Sequence, residues 1–314
     1  MDSGLAASRR PGMTGERVMP SPFPDANTPV VVVGGTGRYG SAQIAGMRAA
    51  GTNIVANVAP GRGGTVIDGI AVFDSVADAV AGHGASAAVI YTPPAGVRDA
   101  IIECAHAGIG FAVVAAEFVP IHDSMFALAR ARAKDMWVVG PNSLGFVIPG
   151  KILLGSIPIE FTRPGPVALF GRSGTLTSTT ARLLTAQGLG QSLVAHIGGD
   201  TLCGRNPHEY LRATAADPAT EIIVYLGEIG GSKEYEMLDR IRSLDKPVVA
   251  LVIGRHALPG KRMGHAGALI EGTRTTAHAK IEALREAGAH IAHDVLAIPQ
   301  CVKELLHGSS RRYA

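Results

Sequence analysis

From residue 29 onward, short apolar runs alternate with stretches of helical spacing. The first half carries PVVVVGG (29–35), NIVANV (53–58), AVF (71–73), SAAVIYT (86–92), FAVVAA (111–116) and WVVG (137–140). Between them the spacing of apolar positions predicts helices near 41–50, 76–81, 96–107 and 122–134. The runs are rich in Val, Ile and Ala and do not alternate with polar residues, as strands covered on both faces require. Regular strand–helix repetition predicts an α/β fold with a parallel, doubly wound sheet, a Rossmann-like domain over 28–150.

The period fails between about 141 and 165, where PNSLGFVIPG and IPIEFTRPGP bring Pro and Gly without a helical face. We read this stretch as the domain junction. A second alternation follows, with strands PVALFG (166–171), SLVAHIGG (192–199), IIVYLGE (222–228), PVVALVIG (247–254) and AHIAHD (289–294). Helices are predicted near 174–187, 207–216, 232–243, 275–287 and 295–307. This is the pattern of a flavodoxin-like parallel α/β domain, over 165–307. Ligands of open sheets bind beyond the carboxyl ends of the strands. GGTGRYG, YTPP, GRSGT, IGGD, GEIGG and IGRH all fall there.

Composition narrows the class. The 314 residues include 46% hydrophobic and 18% charged positions, with 40 glycines, which suits a globular chain of two domains with many tight turns. A formal charge of +3 without a Lys/Arg run argues against nucleic acid as partner. No apolar run reaches membrane-spanning length. Cys104, Cys203 and Cys301 lie far apart and form no CxxC pair, an arrangement a reduced, cytoplasmic setting permits. Residues 1–27 are rich in Pro, Ser, Gly and charge and show no period, and we read them as a disordered extension.

Three Gly-rich turns carry the candidate chemistry. GGTGRYG places a GxGxxG at Gly35, Gly37 and Gly40 between a strand and a helix, where bare backbone meets a phosphate at a helix start. A nicotinamide dinucleotide site also needs an acid at the end of the second strand for the ribose hydroxyls. That strand instead runs into VAPGRGG, with no acid before Asp68. Arg62 in this turn suits an extra ribose phosphate, as in NADP or coenzyme A. GRSGT sets Ser173, Gly174 and Thr175 at a second helix start, again suited to an anion. The third turn is GKRMGHAGALIEG (260–272), in which His265 stands among small residues with no metal-spaced partners. So bare a setting lets something large reach an imidazole, whose neutral nitrogen is a nucleophile near pH 7.

In order, GGTGRYG, APGRGG, YTPP, GPN, GRSGTLT, GLGQS, IGGD, GEIGG and GKRMGHAGA resemble the α subunit of succinyl-CoA synthetase, from about residue 30 to 307. The resemblance implies that the first domain binds coenzyme A, through Thr36, Gly37, Arg38 and Tyr39, with Arg62 in place of a family lysine. Thr92, Pro93, Pro94, Glu117 and Asn142 complete that site. It implies that His265 carries a phosphoryl group, that Glu228 holds its other ring nitrogen, and that Ser173, Gly174 and Thr175 cradle the phosphohistidine. It further implies an ATP-grasp β subunit as partner, in a heterodimer or heterotetramer, with ATP or GTP and Mg2+ bound there and no metal on this chain. The remaining histidines, His196 among them, lie in no comparable loop and receive no role.

Departures from the family pattern cluster near the acyl site. Ser178 and Thr179 stand where the family has Tyr-Glu, the tyrosine lying near the organic acid. Ser143-Leu144-Gly145 replaces Cys-Pro-Gly, Phe170-Gly171 replaces Val-Ser, and EGTRTTA replaces a Gly-rich stretch. The expectation is a phosphoryl relay acting on a small carboxylic acid, with Ser178 facing the substrate and malate a candidate beside succinate. A non-catalytic coenzyme A- or acyl-CoA-binding protein is the alternative.

Overall fold

The computed structural model describes residues 22–310 apart from Ala266. The first sheet contains β1 (Val30–Val33), β2 (Ile54–Val58), β3 (Val66–Ile67), β4 (Ile70–Phe73), β5 (Ala87–Ile90), β6 (Phe111–Val114) and β7 (Trp137–Val139). Its helices are α1 (Arg38–Ala49), α2 (Val76–His83), α3 (Val97–His106) and α4 (Ile121–Ala133). The strand order is β3-β4-β2-β1-β5-β6-β7. All pairs are parallel except β3 with β4, a hairpin closed by Asp68-Gly69 with both φ positive. The order reverses beside β1, the switch point at which doubly wound sheets hold ligands. Along β1 the burial alternates between two cores: Val30 and Val32 pack into one, Val31 and Val33 into the other.

The second sheet contains β8 (Gly145–Ile148), β9 (Ile152–Gly155), β10 (Pro164–Gly171), β11 (Gln191–His196), β12 (Ile222–Glu228), β13 (Val248–Ile253) and β14 (His290–Ile291). Its helices are α5 (Gly174–Ala186), α6 (Pro207–Ala216), α7 (Leu238–Arg242), α8 (Ala277–Glu286) and α9 (Ile298–Ser310). The order is β14-β13-β12-β10-β11-β8-β9. The parallel strands β10 to β14 follow the flavodoxin-like order, with the switch point between β10 and β12.

Three expectations need correction. Residues 141–165, read as the domain junction, contain regular structure: β8 and β9 form a hairpin that adds antiparallel to β11. The first sheet therefore closes at Val139, and residues 145–150 belong to the second rather than to a domain ending at 150. The hairpin also ties the two halves together, because Thr52 Oγ1 donates to the Leu153 carbonyl at 2.7 Å. The extension does not run unstructured to residue 27, since Phe23 packs its ring on Trp137 and Phe146 at 5.4 and 5.2 Å between centroids; residues 1–21 lie outside the described range. Finally, 232–243 is not one helix. A 3-10 turn over Lys233–Met237 precedes the five-residue α7, because Glu234 turns inward to buried partners.

Candidate active site

Four elements of the second sheet end on one small volume. β12 delivers Glu228 as its last residue, 3% exposed. β10 ends at Gly171 and passes through Arg172, 5% exposed, into α5. β11 ends at His196 and turns through Gly198 and Gly199 to Asp200. The loop after β13 brings His265 back over them. That loop closes on itself, Met263 donating its N–H to the Ala268 carbonyl at 2.9 Å, with Gly264 at φ +85°.

His265 Nδ1 lies 2.8 Å from Glu228 Oε2. The other carboxylate oxygen faces Arg172 Nε at 3.4 Å, and Arg172 donates to the Asp200 carbonyl at 2.9 Å. The buried carboxylate thus has a cation on one side and the imidazole on the other. It keeps the proton on Nδ1 and leaves Nε2 as the nitrogen with a free lone pair. The Glu228 hydrogen bond, working against burial, raises the His265 pKa above its ordinary value. The side chain remains 29% exposed, so the ring is held yet reachable. Small neighbours permit this. A Cβ on Gly199 would stand 3.3 Å from His265 Cδ2, and one on Gly267 only 2.9 Å from the Arg172 guanidinium.

Helix α5 begins beside the same arginine. Ser173 is its N-cap, in extended conformation, and its Oγ accepts from the Leu176 N–H at 3.3 Å. The first-turn N–H groups of a helix have no internal acceptors, and the dipole adds to their preference for an anion. Gly174 is buried and Thr175 exposed. Ser178, one turn further on, is buried with its hydroxyl unpartnered, outside the cavity described next.

A cavity of about 610 Å³ opens at the switch point of the first sheet and ends on the second. Of the residues expected to bind coenzyme A, it brings together Tyr39, Thr92, Pro94, Glu117 and Asn142. Thr36, Gly37, Arg38 and Arg62 lie outside its lining, on the same carboxyl edge, and Pro93 caps the turn Pro94–Gly96. The GxGxxG glycines divide their work. Gly35 and Gly40 are packing positions, a Cβ on either meeting neighbours at 2.7 Å, whereas Gly37 faces open space. Arg62 is exposed on a turn held by Asp74, which accepts from the N–H groups of Gly61 and Gly63 at 2.7 and 2.9 Å. In the cavity wall, Tyr91 OH and Thr92 Oγ1 are buried without partners.

The inner end of the cavity holds His196, which the sequence left without a role. Its Nδ1 accepts from the Leu144 N–H and its Nε2 donates to the Arg172 carbonyl, both at 2.8 Å. Burial pushes its pKa down to about 4, so the ring is neutral. His196 thus ties the cavity floor to the residue that precedes the α5 start. Asn142 forms a second tie, donating from Nδ2 to Asp200 Oδ1 at 3.2 Å. Arg172 was equally missed: it sits inside the quoted GRSGT motif, and only the fold shows that it faces Glu228.

Comparison with known proteins matches this division. The CoA-binding domain family matches residues 25–118 and the CoA-ligase family residues 170–290. A succinate–CoA ligase [ADP-forming] subunit alpha from Archaeoglobus fulgidus is 44% identical over 90% of this chain and 98% of its own length. The chain belongs to the succinate–CoA ligase alpha-subunit family. An Aquifex aeolicus alpha subunit of this family is 41% identical over 89% of the chain. Among solved structures, ATP citrate lyase from Methanothrix soehngenii, in complex with citrate and coenzyme A, superposes with a TM-score of 0.84 at 26% identity. The match covers 92% of this chain but 51% of that one, so this alpha-subunit homologue spans about half the length of the lyase chain. Among the described residues, no helix is long and apolar enough to cross a membrane.

Proposed function

We propose that this chain is the α subunit of an ADP-forming acid–CoA ligase and that His265 carries the phosphoryl group between nucleotide and acid. The observation that carries this reading is the 2.8 Å bond from His265 Nδ1 to a buried Glu228, beside the start of α5. Neutral Nε2 attacks the γ-phosphorus of ATP; the N–P bond forms as the bond to the ADP oxygen breaks. Glu228 stabilises the positive ring that results. Ser173, Gly174 and Thr175 receive the phosphoryl oxygens at the α5 start. The carboxylate of the acid then takes the phosphoryl group, and the coenzyme A thiol attacks the acyl phosphate and releases inorganic phosphate.

Coenzyme A is assigned to the 610 Å³ cavity. The unpartnered Tyr91 and Thr92 hydroxyls fit a polar ligand such as its pantetheine amides, and the open start of α1 at Gly37, with Arg38 and Arg62 nearby, suits its phosphates. ATP with Mg2+ is assigned to an ATP-grasp β subunit, in keeping with relatives that are named as alpha subunits. Three free cysteines support a cytoplasmic setting. The acid is a small carboxylic acid, with succinate and malate as the candidates. The test is thioester formation by the co-purified complex across a carboxylate panel that includes succinate and malate. His265→Asn should abolish it for every acid. Turnover that survives in this variant would overturn the reading.

A further inference from the structure

Behind the candidate site lie three buried side chains that the relay does not use: Tyr225 on β12, Glu234 in the 3-10 turn and Lys280 on α8. Lys280 is 0% exposed. An ammonium has three donors and no acceptor, and here each donor is engaged. Nζ lies 2.7 Å from Glu234 Oε2 and donates to the carbonyls of Glu228 at 2.9 Å and Gly230 at 2.5 Å. The second oxygen of Glu234 accepts from the Tyr225 hydroxyl at 2.9 Å.

The two carbonyls flank Ile229, in the segment that starts with the residue holding His265 Nδ1. The far end of this segment meets the His265 loop. Gly230 stands at φ +86°, and a Cβ there would lie 2.0 Å from the Gly267 carbonyl oxygen and 2.8 Å from the Leu269 nitrogen. The Gly230 N–H also donates to the Thr275 carbonyl at 2.9 Å, just before α8. One ammonium therefore pins both the peptide that aims Glu228 and the peptide on which the loop rests.

A buried ion pair is a poor source of stability, since a packed apolar pair does as well or better. Stability alone therefore does not account for a lysine at this position. Its distinct contribution is directional, fixing where two carbonyls point. We propose that Lys280, held by Glu234, is a positioning residue that sets the aim of Glu228 and the seat of the His265 loop. This rests on the reading of His265 as phosphoryl carrier.

The test uses the full chain in complex with its nucleotide-binding partner. The variants are Lys280→Met and the double variant Lys280→Met/Glu234→Leu, the second chosen because it removes both charges together. The groups that act on the His265 ring are Glu228, Arg172 and Asp200, with His196 nearby; Lys280 makes no bond to it. The first readout is the His265 ring titration, followed by NMR of 13C-labelled histidine in wild type and variants. The second is the rate of labelling from γ-labelled ATP together with KM for coenzyme A. The expected result is a folded double variant whose His265 midpoint falls toward the ordinary histidine value. Its labelling should slow by about 10- to 100-fold, as displacement of a catalytic group does, with KM for coenzyme A unchanged. A folded variant with wild-type titration and labelling would overturn the proposal. So would two variants that both fail to fold, because Lys280 would then be a structural residue. Absent labelling in the wild-type complex would strike the phosphoryl reading instead, while the ring titration still reports on Lys280.

Discussion

At the scale of single residues, His265 and Glu228 form the unit on which the proposed relay turns. Because Glu228 raises the His265 pKa, the sign of the pH dependence follows. Below the folded pKa, a proton occupies Nε2 and blocks attack; above it, the lone pair is free. Labelling should therefore fall as pH drops through that raised pKa. In Glu228→Gln the charge is gone, so the fall should occur at lower pH, and the plateau rate should drop by about 100-fold. A pH–rate profile of both proteins checks the direction, and an unmoved midpoint would contradict it. His265 and Glu228 could be read from the sequence because each sits in a distinctive short motif. Arg172, His196 and Lys280 could not. An arginine in a Gly-rich turn, a histidine at a strand end and a lysine on a helix all read as ordinary until the topology brings them together.

At the scale of elements, helix starts and glycine turns do the positioning. Loss of the α5 cap in Ser173→Ala should cost about 1 kcal/mol, read from denaturant unfolding. It should also slow labelling, since the same residue belongs to the proposed phosphoryl cradle. Gly230→Ala should cost more, about 1–3 kcal/mol, because its φ of +86° is strained for alanine. Its new methyl would meet the Gly267 carbonyl, so the His265 loop must shift and labelling should fall with stability. Most helices and parallel strands were legible because their Val/Ile-rich runs and 3.6-residue spacing are strong signals. The β8–β9 hairpin was not, since FVI and ILL are short, largely buried and surrounded by Pro and Gly that read as loop. The 3-10 turn at 233–237 was missed for a different reason: Glu234 faces the core, a placement charge alone does not announce.

At the scale of the whole molecule, two doubly wound sheets set their switch points against each other. The cavity of the first ends at His196 and Asn142, which bond across to the Arg172 carbonyl and Asp200. The proposed phosphoryl carrier and the cavity proposed for coenzyme A are thereby held in fixed relation, and the hairpin that joins the sheets is part of that hold. Phe23, seated on Trp137 and Phe146, closes the seam between β7 and β8. Phe23→Ala should destabilise the chain by about 2 kcal/mol, below the cost for a fully buried ring, as read from thermal unfolding. The most direct test of the central claim is the position of the phosphoryl group itself. Brief exposure of the complex to γ-labelled ATP should give an acid-labile, base-stable label that maps by mass spectrometry to His265 and is discharged by the acid together with coenzyme A. A label on any other residue, or thioester turnover with no labelled intermediate on this chain, would contradict the account.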